Sequence, residues 1–303
     1  MSIARDGTPA SNLPADMRIA NARPVVAPIA DPDLREVTAF LHEQLNPAIP
    51  ADRWAESFRQ PWGRDKPNNG FMMRDSEGRL AGVIGAIYST QTIRGQRERF
   101  CNITSWCVTP PFRTHAVRLA MALLAQPGFH FTDFTPTPVV LSTLRFLKFK
   151  SMDSRGCVMP NIPAVRRTDV IDAVPAMTDA LEPIDRTTLL DHAECPWLRH
   201  VAIRYDGGSC YVAYRLGTLR GFVCADVVHV TSPAALASTL PQLRDYLLLR
   251  ARLPFLRIER RLLPSPPRLS HTVDGYYTKQ YRSDTLHEAD ISNLYSELVA
   301  LPM

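Results

Sequence analysis

The sequence predicts an α/β (α+β) protein with a mixed, largely antiparallel central sheet flanked by helices, duplicated along the chain. Three observations predict it. Within the first 150 residues the hydrophobic period switches repeatedly between that of a strand and that of a helix, the mark of a sheet layered with helices. A strand, helix, strand order over residues 100–108, 113–126 and 129–134 recurs over 221–231, 232–250 and 255–262, without detectable side-chain identity between the copies. The composition, 45% hydrophobic and 21% charged over 303 residues, excludes disorder, coiled coil and collagen. That length holds two cores of about 150 residues.

Taken in order, residues 1–22 read as a flexible N-terminal arm and residues 24–29 as a short strand. Asp31-Pro32-Asp33 caps a helix over 34–44, where Leu34, Val37, Phe40 and Leu41 share a face. A short helix restarts at 54–58, and residues 61–70 form a charged loop. Residues 71–74 and 80–90, joined by a turn at 75–78, predict an antiparallel hairpin. Residues 92–99 read as a basic connector. Strand 100–108 stops at Thr109-Pro110-Pro111, and helix 113–126 is ended by Pro127-Gly128. Strand 129–134, helix 139–147 and strand 149–152 complete a first domain over 23–153.

The second domain, 154–303, opens on a proline-bearing stretch over 153–185 that serves as linker and one or two strands. Helix 186–193, strands 201–205 and 211–216 about the turn Asp206-Gly207-Gly208, strand 221–231, helix 232–250 and strand 255–262 follow. A proline break at 264–267, a polar segment with Tyr276, Tyr277 and Tyr281, and an amphipathic helix over 291–301 close the chain.

The formal charge is +5, and its distribution is informative. Residues 1–150 carry 18 basic and 13 acidic side chains against 17 of each afterwards, so an anionic ligand belongs with the first half. The excess is too mild for a nucleic-acid binder. Six cysteines without a CxxC pair argue against a disulfide framework. The first 22 residues lack an apolar run, and the apolar stretches at 82–88 and near 246–249 fall short of the roughly 20 residues that cross a bilayer. The expectation is a cytoplasmic protein with no membrane span.

The junction from Phe100 through Val108-Thr109-Pro110 to Leu119 is the most informative segment. A strand enters a helix whose first turn is expected to begin at Arg113, where backbone amides receive phosphate oxygens and Arg113, His115 and Arg118 add positive charge. Over about residues 23–153 the chain resembles the acyl-CoA N-acyltransferase superfamily. Its members end a strand in Val-x-Pro, here Val108-Thr109-Pro110, and open the helix on Arg/Gln-x-x-Gly-x-Gly/Ala, matched here by Arg113, Ala116 and Arg118 without the glycines. The family's Tyr-x-x-x-Gly-Phe is matched by residues 144–149, with Phe146 near the tyrosine and Lys148 at the glycine; Phe146 donates no proton.

The resemblance implies acyl-CoA, acetyl-CoA or longer, as cosubstrate. The loop Arg113, Thr114, His115, Ala116, Val117 and Arg118 would take its phosphates, and the amides near Cys107 and Val108 would hold pantetheine and the oxyanion. Amide formation needs a free amine, oxyanion donors and a proton route, and the candidate bases are His130, Asp133 and Glu98. Alternation sets Phe129, Phe131 and Asp133 on one strand face and His130, Thr132 and Phe134 on the other. The plainer account makes His130 a buried hydrogen-bonding residue and Asp133 a cap. Cys107 lacks a His/Asp arrangement at a known spacing and reads as core. The eight histidines form no compact metal set, so no metal is expected.

The second half is expected to wall the cleft or form a homodimer surface, with the alternative that it is the active half; its residues 230–235 lack a basic phosphate loop, which argues against an equally good coenzyme site. Arg257, Glu259, Arg260 and Arg261 read as an anion site or a surface ion-pair network. The expected function is acyl transfer from acyl-CoA to the amine of a small molecule or amino sugar. Two alternatives stay open: a noncatalytic binding or regulatory protein, and transfer from an acyl carrier protein, whose acidic surface suits the basic first half.

Overall fold

The described residues build two seven-stranded sheets. In this computed structural model the described residues are 23–63, 65–163, 170–276 and 278–301, so the expected arm at 1–22 and Tyr277 lie outside them. The first half supplies β1 (Val25–Pro28), α1 (Leu34–Gln44), α2 (Ala51–Ser57), β2 (Gly70–Arg74), β3 (Leu80–Ile93), β4 (Gln96–Val108), α3 (Ala116–Leu124), β5 (His130–Asp133), α4 (Pro138–Phe146) and β6 (Lys150–Ser151). The second supplies β7 (Gly156–Pro160), β8 (Val170–Ile171), α5 (Val174–Ala180), α6 (Pro183–His192), β9 (Leu198–Tyr205), β10 (Gly208–Leu219), β11 (Phe222–Val230), α7 (Pro233–Leu249), β12 (Phe255–Glu259), β13 (His271–Val273), β14 (Gln280–Arg282) and α8 (Glu297–Ala300).

Strand order is β1-β2-β3-β4-β5-β14-β6 in one sheet and, read from β8, β8-β9-β10-β11-β12-β7-β13 in the other. The two match position by position. Each has one parallel pair, β4 with β5 and β11 with β12, bridged by a helix as a parallel connection requires. The expected duplication is present, with β14 of the late chain completing the first sheet against β5 and β6.

Local chemistry explains the elements. In α1, Leu34, Val37, Thr38 and Leu41 are buried at helical spacing. Ser232 caps α7 by accepting the Ala235 amide at 3.1 Å, and Pro233 occupies its first turn. From α7, Leu236, Leu243 and Leu247 pack into a core with Val201, Val212, Ala225 and Ile258. Gly70 has φ +111, and a Cβ there would stand 2.1 Å from the Ile84 carbonyl, so only glycine lets β2 lie on β3.

Several expected boundaries move. Residues 92–99 are hairpin rather than connector: β3 runs to Ile93, β4 starts at Gln96, and Arg94 and Gly95 take φ of 51° and 80° between them, the two left-handed positions of a tight hairpin turn. Strand 255–262 stops at Glu259 because Arg260–Leu262 turns into a 3-10 helix. The closing helix shrinks to Glu297–Ala300. Ahead of it, Asn293 Nδ2 donates to the Val228 carbonyl at 3.0 Å and Ser296 Oγ to the Asn293 carbonyl at 2.5 Å, and such side-chain bonds compete with helix.

The chain divides into two compact units. One takes the described residues up to Ala55 with Pro67–Ala86 and Ser105–Pro127; the other takes Glu56–Lys66, Ile87–Thr104 and the described residues from Gly128. Among the described residues no helix is long and apolar enough to cross a membrane.

Candidate functional site

In the larger unit, β4 and β5 pair in parallel over three positions, Phe100 to Asn102 against His130 to Thr132. β5 ends one residue later at Asp133, whereas β4 runs on to Val108. The end of the ladder is polar. Asn102 Nδ2 donates to Thr132 Oγ1 at 3.1 Å, and its Oδ1 accepts the Glu297 amide at 2.9 Å. The Glu297 Oε1 accepts the Phe134 amide at 2.8 Å and the Thr135 hydroxyl at 3.1 Å, while its Oε2 is buried with no hydrogen-bond partner. Burial, then the neighbouring Glu297 charge, raises the Asp133 pKa well above the carboxylate range. Burial likewise raises that of Glu297. Two like-charged groups in a dry site resist joint ionisation, so this pair retains a proton.

The candidate bases therefore separate. His130 and Glu98 come together, Nε2 to Oε2 at 3.0 Å, where the ladder begins. Asp133 lies where the ladder ends, beside Glu297. The sequence reading missed Glu297, and no local motif marks it, because its partners Phe134 and Asn102 lie 163 and 195 residues away.

In the smaller unit, the end of β4 departs from regular strand. Ser105 takes φ +53, a left-handed residue that kinks a strand as a bulge does. From Ser105 to Val108 the side chains are half-buried. Thr109 fixes the following turn by donating from its amide and its hydroxyl to the Ala81 carbonyl, at 2.9 and 3.0 Å. Burial pushes the Cys107 thiol up, with Arg113 opposing, so this sulfur is a poor nucleophile at neutral pH.

The helix start differs from expectation. Pro110–His115 is a 3-10 turn and α3 begins at Ala116. Pro110 and Pro111 have no N–H, the Phe112 amide donates to the Thr109 carbonyl, and the Ala116 amide to the Arg113 carbonyl. A turn with two prolines and with the Phe112 and Ala116 amides engaged thus stands at the expected helix start. Arg113, Thr114 and Val117 are exposed, and His115 and Ala116 half-buried. Arg118 turns away, donating from Nη1 to the Pro24 carbonyl at 2.7 Å. Phe146 is 80% exposed.

The expected surface ion-pair network of the second half is buried instead. Lys279 and Arg261 both pair with Glu259, and Arg257 pairs with Asp226 at 2.9 Å, all at side-chain exposures of 8% or less. Burial pushes the Glu259 carboxyl up, but the Lys279 ammonium and Arg261 guanidinium outweigh it and hold it at about 2. Arg257 and Arg261 are committed to internal carboxylates, and Arg260 Nη1 donates to the Leu263 carbonyl at 2.6 Å. Among the described residues no three His, Cys, Asp or Glu side chains gather as metal ligands.

No family model and no curated protein matches the sequence. Solved structures do match the fold. A GCN5-related N-acetyltransferase from Anabaena variabilis superposes with a TM-score of 0.58 at 11% identity, over 86% of this chain and 72% of that one. A conserved protein of unknown function from Enterococcus faecalis, described as a probable N-acyltransferase, gives 0.57 at 11% over the same shares. A putative acetyltransferase from Pyrococcus horikoshii gives 0.50 at 11%, over 95% of this chain and 97% of that one. The chain has the GCN5-related N-acetyltransferase-like fold.

Proposed function

We propose that the chain is an N-acyltransferase that takes an acyl group from acyl-coenzyme A, acetyl or longer, and transfers it to the amine of a small molecule or amino sugar. The observations that carry this reading are the short parallel ladder of β4 with β5 and the kink of β4 at Ser105. An extended amide-bearing arm such as pantetheine docks along a strand with strand-like hydrogen bonds, and the amides near Cys107 and Val108 are the donors for it and for the oxyanion. The fold likeness supports the same reading. With two prolines in the turn and the Phe112 and Ala116 amides engaged, the exposed Arg113 guanidinium is the group for the phosphates, and the side chains of Thr114 and His115 assist. Asp133, at the open end of the ladder and coupled to Glu297, is favoured over His130 and Glu98 as the proton-handling group.

The reading takes residues 23–153 as one copy of the fold and 154–303 as the second, with β14 returned to the first sheet. It sets the protein in the cytoplasm, where its six free thiols stay reduced. The glycine-free turn and the exposed Phe146 favour, as a second reading, a noncatalytic protein of the same fold.

Titration calorimetry with coenzyme A and acetyl-CoA tests the donor. Binding is expected, about tenfold weaker in Arg113→Ala for one lost charge-assisted contact. Absence of binding by wild type rejects acyl-CoA and leaves the carrier-protein donor or the noncatalytic role.

A further inference from the structure

The end of β3 and elements of the second half together line a cavity of about 330 Å³, at the small end of the roughly 300–1,000 Å³ of ligand pockets. One wall is a face of α6 bearing Thr187, Thr188 and Asp191; β3 contributes Thr92, the end of β11 contributes His229, and the chain before α8 contributes Tyr295. His229 precedes Val230-Thr231 as Cys107 precedes Val108-Thr109, and β11 occupies in its sheet the place of β4. The cavity thus stands at the strand end that corresponds, in the second copy, to the kinked end of β4.

Three of its hydroxyl protons are already committed. Thr187 Oγ1 donates to the Pro183 carbonyl at 2.9 Å, Thr188 Oγ1 to the Ile184 carbonyl at 3.0 Å, and Tyr295 Oη to Asp191 Oδ2 at 2.9 Å. Each oxygen keeps lone pairs and no free proton, and burial together with Asp191 raises the Tyr295 pKa, so the phenol stays a donor to the carboxylate. The charge has one sign. Asp191 lines the cavity, Asp185 Oδ1 lies 4.0 Å from His229 Nε2 behind it, and no lysine or arginine is among the described lining residues. The His229 Nε2 is buried without a hydrogen-bond partner, a state that costs free energy until a ligand group meets it.

A wall rich in acceptors around a carboxylate, with no lysine or arginine among its described residues, is complementary to a compact cation that is rich in N–H donors. We propose that this cavity binds a small hydrophilic primary ammonium compound. The assignment stands on the cavity alone and does not depend on acyl-CoA as donor.

The test is titration calorimetry of the full chain with putrescine, ethanolamine and glucosamine, against glucose and N-acetylglucosamine as uncharged controls. At least one ammonium probe is expected to bind, with both controls at least tenfold weaker. Asp191→Asn should weaken that probe about tenfold. Thr187→Val, at an exposed helix position, should weaken it several-fold while leaving the melting temperature unchanged. The proposal is overturned if none of the three ammonium probes binds, if the controls bind as well, or if both variants bind like wild type.

Discussion

At the scale of the residue, position in the ladder separates the candidate proton carriers. His130 and Asp133 are three residues apart on one short strand, yet His130 meets Glu98 at the start of the ladder and Asp133 meets Glu297 at its end. Alternation put them on opposite faces but gave no depth, because the length of the β4–β5 ladder depends on where β5 stops, and that is a tertiary fact. If Asp133 handles the proton, Asp133→Asn lowers kcat by about 100-fold or more, a typical share for general acid–base catalysis. His130→Gln then leaves kcat within a few-fold, since it loses only a part-exposed pair with Glu98. Steady-state kinetics on both variants decides between them, and the opposite ranking would move the role to the His130–Glu98 pair.

At the scale of the element, the duplication is legible in element order, and matching hairpin turns strengthen it. Thr92-Ile93-Arg94-Gly95 and Thr218-Leu219-Arg220-Gly221 occupy the same hairpin of the two sheets, with φ of 51° and 80° in one turn and 48° and 85° in the other. Charged Arg97, Glu98 and Arg99 hide the first of these, because they break the alternation that marks a strand. Glycine in the second turn position was the available sign. The kink at Ser105 and the 3-10 turn at Pro110–His115 left weaker traces. Serine has no preference for left-handed backbone, and a proline pair starts either kind of helix. Close β2–β3 contact yields a prediction at this scale. Gly70→Ala should cost more than about 2 kcal/mol in denaturant unfolding, because the new methyl collides with the Ile84 carbonyl at a positive φ; a change under about 0.5 kcal/mol would contradict the described register.

At the scale of the whole molecule, buried titratable groups set a pH dependence with a definite sign. Burial lowers His192 and His200 to about 4. His192 has ring nitrogens 2.8 Å from the Thr188 carbonyl and 3.1 Å from the Leu294 carbonyl, and it stacks on Trp62 at 4.4 Å. With folded values below the unfolded one, both favour the folded state above about pH 6.5 and lose that contribution as pH falls toward 4. Glu259, held at about 2, stabilises above its unfolded value and loses its share as pH falls further. Asp133 and Glu297, raised by burial, act in the opposite sense, giving stability at low pH that is lost as pH rises through their folded values. Between pH 7 and 4 the two senses oppose each other, so the histidine share is read by difference: as pH falls from 7 to 4 the melting temperature of His192→Phe should rise relative to that of the wild type, and an unchanged difference would show that His192 does not titrate in this way. All of this concerns the scaffold, whereas the central claim is chemical. The most direct measurement is mass-spectrometric detection of an acylated amine and free coenzyme A after incubating the chain with acetyl-CoA and a panel of small amines and amino sugars. Acyl transfer is predicted to fall about 100-fold or more in Asp133→Asn and, at subsaturating acetyl-CoA, about tenfold in Arg113→Ala. Binding of acetyl-CoA with no acylated product, at any pH from 6 to 9, would contradict the account and mark the chain as a noncatalytic member of its fold.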